Sequence, residues 1–210
     1  MVARQETPAS TGAPATPPVW VEALATFHGA RLRAEVATEP MPAPQRIAPW
    51  SAALSADVTV DGEDVGTGRI ILLHDPTGND AWEGTFRCVA YARAEVELEM
   101  VSDPLMAEAG WSWLLEALES HDAEHVAASG TVTRVVTEAF GQMAEDSGTA
   151  QVEVRASWTP VMPDPADPTS SPDLAPHVEA WGELLCTAAG LPPVPDGVAV
   201  MPNRRSARGR

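Results

Sequence analysis

The chain has 210 residues, enough for one well-buried core and too few for two large domains. Its formal net charge is -17, from 30 acidic residues against 13 basic ones, and that sign argues against general nucleic-acid binding, because phosphate neutralisation needs a basic surface. All 13 basic residues are arginine, beside abundant Ala, Pro and Gly, which reads as the coding bias of a high-GC genome rather than as a choice of arginine at each site.

Residues 1–16 are rich in Ala, Thr, Pro and Gly without periodicity, and are expected to be a disordered tail lacking the apolar core of a signal peptide. Pro17 and Pro18 suit the first turn of a helix, where a missing N–H is no loss. Trp20, Leu24, Phe27 and Arg31 then place three large apolar groups on one stripe, and this helix is expected to end near Val36. TEPMPAPQ reads as an extended connector. Trp50 and Leu54, at i and i+4, predict a short helix over Pro49–Ala56.

Asp61-Gly62 between two short apolar runs is a hairpin-turn signal. The stretch Gly66–Glu97 organises the rest of the chain. It carries two strand-like runs, Arg69–His74 and Glu83–Val96, around a polar loop, Asp75–Ala81. Ile70 to Leu73 is apolar on both faces, as a central strand would be. The second run alternates: Phe86, Cys88, Ala90 and Ala92 should face packed helices, and Arg87, Val89, Tyr91 and Arg93 should face solvent or a ligand.

Asp103-Pro104 opens a helix whose Trp111, Leu114, Leu115 and Leu118 form an amphipathic stripe. Gly130 restarts extended structure with TVTRVVTEAF and AQVEVRASW. Residues 159–174 are proline-punctuated and read as a semi-rigid linker, followed by a helix from near Pro176 to a stop at Gly190.

The order α-(α)-βββ-α-ββ-α predicts an α+β fold, a single antiparallel sheet of about five strands with helices packed on one face. One domain is expected over 17–191, followed by a tail, 192–210, that is Arg-rich at its end. Cys88 and Cys186 lack metal-type spacing and suit buried thiols in a reducing cytoplasm. No run approaches the length that spans a membrane. A soluble cytoplasmic protein is expected.

Several strings, APQRIAPW, TGRIILLHDP, WEGTFRCVAY, the WSWLLEAL helix, GTVTRVVTEAFG and VEVRASWTP, occur in this order over roughly residues 18–192. Together they resemble an actinobacterial family catalogued as domain of unknown function three thousand, which brings no established activity or catalytic residues. The family's association with genes beside a ribonuclease-D-like exonuclease implies an RNA-linked alternative, with the tail NRRSARGR as the contact. In element order the chain is also similar to type III secretion chaperones, which implies a homodimer holding an extended partner segment.

Three groups of residues carry chemistry. His74-Asp75, at a strand end, suits a general base and its orienter, with Asp80 and Trp82 across the loop. The competing reading is that Asp75-Pro76 opens a turn and Asp75 accepts local N–H groups. His121 and His125 in HDAEH fit the H-x-x-E-H zinc pattern, which requires both on one helix face. The ordinary reading is histidines near the end of a helix, just before a strand. The strand arginines Arg69, Arg87, Arg93, Arg134 and Arg155 are the third group. Arg87, Arg93 and Arg155, with Tyr91 and Trp82 as apolar surface, suit a carboxylate or phosphate, and otherwise pair with Glu95, Glu97, Glu138 and Glu153.

No phosphate loop, nucleophile elbow or cofactor motif is present, and no cofactor is expected. The leading expectation is a non-enzymatic binding or adaptor protein that holds a protein partner, or a second copy of itself. The alternatives are a small enzyme using His74 and Asp75, and an RNA-metabolism accessory protein.

Overall fold

The computed structural model describes residues 16–143, 148–164, 166, 167 and 169–193. The expected N-terminal tail, apart from Thr16, and the arginines of the C-terminal tail lie outside them. The described elements are α1 (Pro18–Gly29), β1 (Val36–Met41), β2 (Trp50–Val60), β3 (Glu63–Asn79), β4 (Gly84–Glu95), α2 (Leu98–Ser102), α3 (Met106–Ser120), β5 (His125–Thr137), β6 (Thr149–Pro160) and α4 (Ala175–Ala188). The strands form one open antiparallel sheet in the order β1-β2-β3-β4-β6-β5. The fold is therefore α+β with a single antiparallel sheet, of six strands rather than about five.

The extra strand and a missing helix have a common cause. The predicted helix over Pro49–Ala56 is instead the start of β2, which pairs with β3 from Trp50 opposite His74. Residues at i and i+4 share a face in a strand as well as in a helix. Here Trp50, Leu54 and Val58 do so through a two-residue alternation that alanine and serine mask. The first helix stops at Gly29, short of Val36, and the chain from Val36 to Met41 pairs with β2 as an edge strand. Pro40 is tolerated there because an edge strand has an unpaired side. β5 likewise begins at His125 rather than at Gly130, and α2 was not anticipated.

Asp61 and Gly62 make the β2–β3 turn with φ of 52° and 91°. Two positive φ values are what a two-residue hairpin turn compatible with strand twist requires.

Helices cover one sheet face. Phe86, Cys88, Ala90 and Ala92 of β4, with Ile70 and Leu72 of β3 and Val154 and Trp158 of β6, are buried there. They share one core with Phe27 of α1, Leu114 and Leu118 of α3, and Trp181 and Leu185 of α4. The small residues of β3 and β4 let α4 come close. A Cβ on Gly68 would stand 2.6 Å from the Tyr91 carbonyl oxygen and 2.7 Å from a Leu185 methyl, distances at which something must shift. That approach lets Trp181 Nε1 donate to the Tyr91 carbonyl at 3.1 Å.

Of the proline-punctuated stretch 159–174, β6 takes the first two residues. Its far end is tied to α1: Ser171 Oγ donates to the Val19 carbonyl, and the Leu174 N–H donates to Thr26 Oγ1. Among the described residues no helix is long and apolar enough to cross a membrane.

Candidate functional site

The face away from the helices is organised by register. Ser55, Arg69, Tyr91, Arg155 and Thr131 stand opposite one another across β2, β3, β4, β6 and β5, forming a polar row that crosses the sheet. Two residues along each strand, a second row runs Met41, Ala53, Ile71, Val89, Ser157 and Ser129, apolar at its β1 end and hydroxyl-bearing at its β5 end. Apart from Ser55, the residues of these rows, with Pro42 and Pro44 after β1, line a cavity of about 650 Å³. The size is that of a small-ligand or side-chain pocket.

Tyr91 is the centre of the polar row. Arg69 and Arg155 each place their guanidinium carbon 5.2 Å from its ring centroid, so the ring is a shared cation–π partner. Arg155 also forms an ion pair with Glu153 at 3.0 Å. Arg69, which is exposed, has no ion pair among the described residues. Burial first, and then the Glu153 carboxylate, push the Tyr91 phenol above its ordinary pKa, so it stays a neutral donor.

Tyr91, Arg155, Arg87 and Arg93 all lie on the predicted face, but they do not form one group. Arg87 is 6% exposed and its donors are used inside the protein. Nη1 donates to the Ala127 carbonyl at 3.0 Å and to Thr159 Oγ1 at 3.1 Å. Nη2 donates to Ser157 Oγ at 2.7 Å, the Ser157 carbonyl at 3.2 Å and Ser129 Oγ at 3.3 Å. Arg87 thereby holds the β-bulge between Val126 and Ser129, where Ala127 has a φ of 51°, and it is a structural clamp rather than a ligand-binding group. Arg93 sits one row further along, with Nε donating to Gln151 Oε1 at 2.9 Å. Trp82 does not line the cavity; its carbonyl accepts from Thr159 Oγ1 across the β3–β4 turn.

His74 and Asp75 do not form a pair. As neighbours in a strand they point to opposite faces. His74 is 2% exposed, its ring stacked at 4.1 Å on Phe86 and at 6.1 Å from Trp20. Its Nδ1 donates to the Thr85 carbonyl at 3.0 Å, which leaves Nε2 a buried acceptor without a partner among the described residues. Burial lowers its pKa, favouring the neutral ring. Asp75 accepts from Thr77 Oγ1 at 2.7 Å and from the Thr77 N–H at 3.0 Å, bonds that hold its carboxyl below the usual range. These are the local contacts expected of Asp75, but they are made within the end of β3, which runs on to Asn79, rather than in a turn opened at Asp75-Pro76.

The zinc pattern also separates. His121 caps the end of α3 and His125 opens β5, so the two are not on one helix face. His121 faces Glu179 at 3.8 Å, and His125 Nδ1 donates to the Ala123 carbonyl. Among the described residues no group of three or more His, Cys, Asp or Glu side chains is gathered to hold a metal. Burial pushes the thiols of Cys88 and Cys186 up to about 12, too high for a thiolate nucleophile near neutral pH.

The cavity's apolar half was not anticipated as a site. Ile71 belongs to a run without alternation, and Met41, Pro42 and Pro44 belong to a segment read as connector. Their convergence follows from pairing β1 with β2, which a one-strand pattern does not show.

These features define a class: an acidic α+β protein that, among the described residues, leaves one sheet face open as an arginine-flanked apolar surface. The chain belongs to the family described as protein of unknown function (DUF3000), which matches residues 16–199. Searches of curated proteins and of solved structures gave no match, so the likeness to secretion chaperones has no solved structure behind it.

Proposed function

We propose that the protein is a non-enzymatic cytoplasmic binding or adaptor protein that holds a peptide segment of a protein partner on its open sheet face. The observation that supports this is the pairing of two rows on that face, one apolar through Ala53, Ile71 and Val89 and one cationic through Arg69, Tyr91 and Arg155. Apolar floor supplies affinity, and a few oriented polar groups supply selection. The neighbouring arginine clamp and the Trp181 bond fix the strands beneath, so the surface is preformed and little ordering entropy is lost on binding.

The test is site-directed photo-crosslinking in the source cells. A photoreactive residue in place of exposed Thr131, on the cavity rim, should capture a discrete protein. One in place of Val21, exposed on α1, should not. Equal labelling from both positions, or none from Thr131, overturns the reading.

A further inference from the structure

Resting on that reading, we infer that the open face takes an extended peptide in which an apolar side chain and a single carboxylate stand two residues apart. The spacing is set by the sheet. The apolar and cationic rows are two residues apart along β3 and β4, as Ile71 from Arg69 and Val89 from Tyr91. Two residues of strand advance about 6.5 to 7 Å, and side chains i and i+2 of an extended peptide leave one face at the same interval. A peptide lying along the strands therefore sets one side chain on the Ala53, Ile71 and Val89 floor and the next same-face side chain beside Arg69.

Charge selects the carboxylate. Of the eight arginines between residues 16 and 193, Arg69, Arg87, Arg93 and Arg155 stand on this face, in a chain of net charge -17. Their engagement differs. Arg87 is consumed by backbone and hydroxyl acceptors, Arg93 donates to Gln151, and Arg155 is already paired with Glu153. Arg69 alone of the four has neither an ion pair nor a side-chain hydrogen bond among the described residues, and its guanidinium is steadied over Tyr91. The guanidinium fork matches a carboxylate bidentately. The acids on this face, Glu39 at the edge of the same row and Asp57, Glu153 and Glu95 in the rows beyond it, disfavour a second carboxylate on those sides, so one acid at one position is read.

The experiment uses the full chain and fluorescently labelled peptides with a Leu-Ser-Glu core in a Gly-Ser frame, read by anisotropy. Companion peptides carry Leu-Ser-Gln, Ser-Ser-Glu, Leu-Ser-Lys, or leucine and glutamate adjacent. Leu-Ser-Glu should bind at least about tenfold more tightly than the glutamine, lysine and adjacent versions, the scale of a charge-assisted hydrogen bond. Arg69→Gln should erase the preference for glutamate over glutamine while keeping that for leucine over serine. Arg31→Gln, beyond α1 and beside Glu179 of α4 on the helix side of the sheet, should leave both preferences unchanged. Equal binding of the Glu and Gln peptides, equal binding of the spaced and adjacent ones, or a glutamate preference that survives Arg69→Gln overturns the inference while leaving peptide holding in place. Failure of every peptide to bind at millimolar concentration overturns both.

Discussion

On its covered face β4 offers Phe86, Cys88, Ala90 and Ala92, all buried, whereas its open face offers Arg87, Val89, Tyr91 and Arg93. The two faces share a backbone and differ in what their polar groups do. On the covered face Trp181 reaches through the helix layer to the Tyr91 carbonyl, so the helical core fixes the strand from which the open-face tyrosine projects. On the open face Arg87 is spent on structure and Arg69 is not. The strands are thus held from behind and from one end, and the middle of the open face is expected to carry little of the folding energy. Substitutions should separate these roles.

Trp181→Ala strikes the covered face hardest. The side chain is fully buried, packs by Gly68 and loses its bond to Tyr91 when truncated. A cost of about 3 to 5 kcal/mol is expected from urea unfolding. Comparable loss on replacing an open-face residue such as Arg69 would erase the division between the faces.

Acid should act through the covered face as well. His177 Nδ1 accepts from Trp158 Nε1 at 3.0 Å, and burial, with His125 nearby, lowers its pKa from 6.5 to about 4. The folded state therefore holds it neutral while the unfolded chain takes up a proton near pH 6.5. Stability is undiminished by this group above pH 6.5, falls as pH drops through the window from 6.5 to 4, and falls no further below it. The slope approaches roughly 1.4 kcal/mol per pH unit, for a total on the order of 3 kcal/mol. His177→Gln should reduce the stability difference between pH 7 and pH 5, measured by urea midpoints. It should not abolish it, because buried His74 shifts in the same direction. An unchanged difference would remove His177 from the account.

Arg87→Gln tests the structural arginine of the open face. It leaves the Ala127 carbonyl and the hydroxyls of Ser129, Ser157 and Thr159 short of a donor. We expect about 2 kcal/mol of destabilisation and faster amide exchange across Val126–Ser129, where the bulge loses its clamp. A silent Arg87→Gln would mean that the bulge holds itself.

The covered face was legible in the sequence because Phe86, Cys88, Ala90 and Ala92 alternate with polar and larger residues, and the structure keeps that assignment. The open face was legible only in part. Tyr91 and Arg155 alternate out of the core by their own strand patterns, but Arg69 stands at the head of Ile70–Leu73, which is apolar on both faces and gives no phase. The turn at Asp61-Gly62 does not supply it either. Counting back from Val60 opposite Glu63 would set Ser55 against Gly68, yet the register shift between Val58 and Thr59 sets Ser55 against Arg69. One bulged residue exchanges the faces of a strand. His74-Asp75 misled for a related reason: adjacency in sequence places side chains on opposite faces when the segment is a strand.

Arg69→Gln is the smallest perturbation and the sharpest division between the two arginines. Arg69 is exposed and forms no ion pair among the described residues, and an exposed cation–π contact is worth little more than half a kcal/mol. Its removal should change the urea midpoint by no more than about 1 kcal/mol in equivalent stability, against about 2 kcal/mol for Arg87→Gln on the same face. The amide signals of Tyr91 and Val89 should stay in place, because Trp181 and the strand register hold them from behind. That outcome would leave Arg69 as a surface cation that folding does not require, free for the proposed recognition of a carboxylate. If Arg69→Gln instead cost as much as Arg87→Gln, the open face would be a second structural layer and its arginines would need no ligand to explain them.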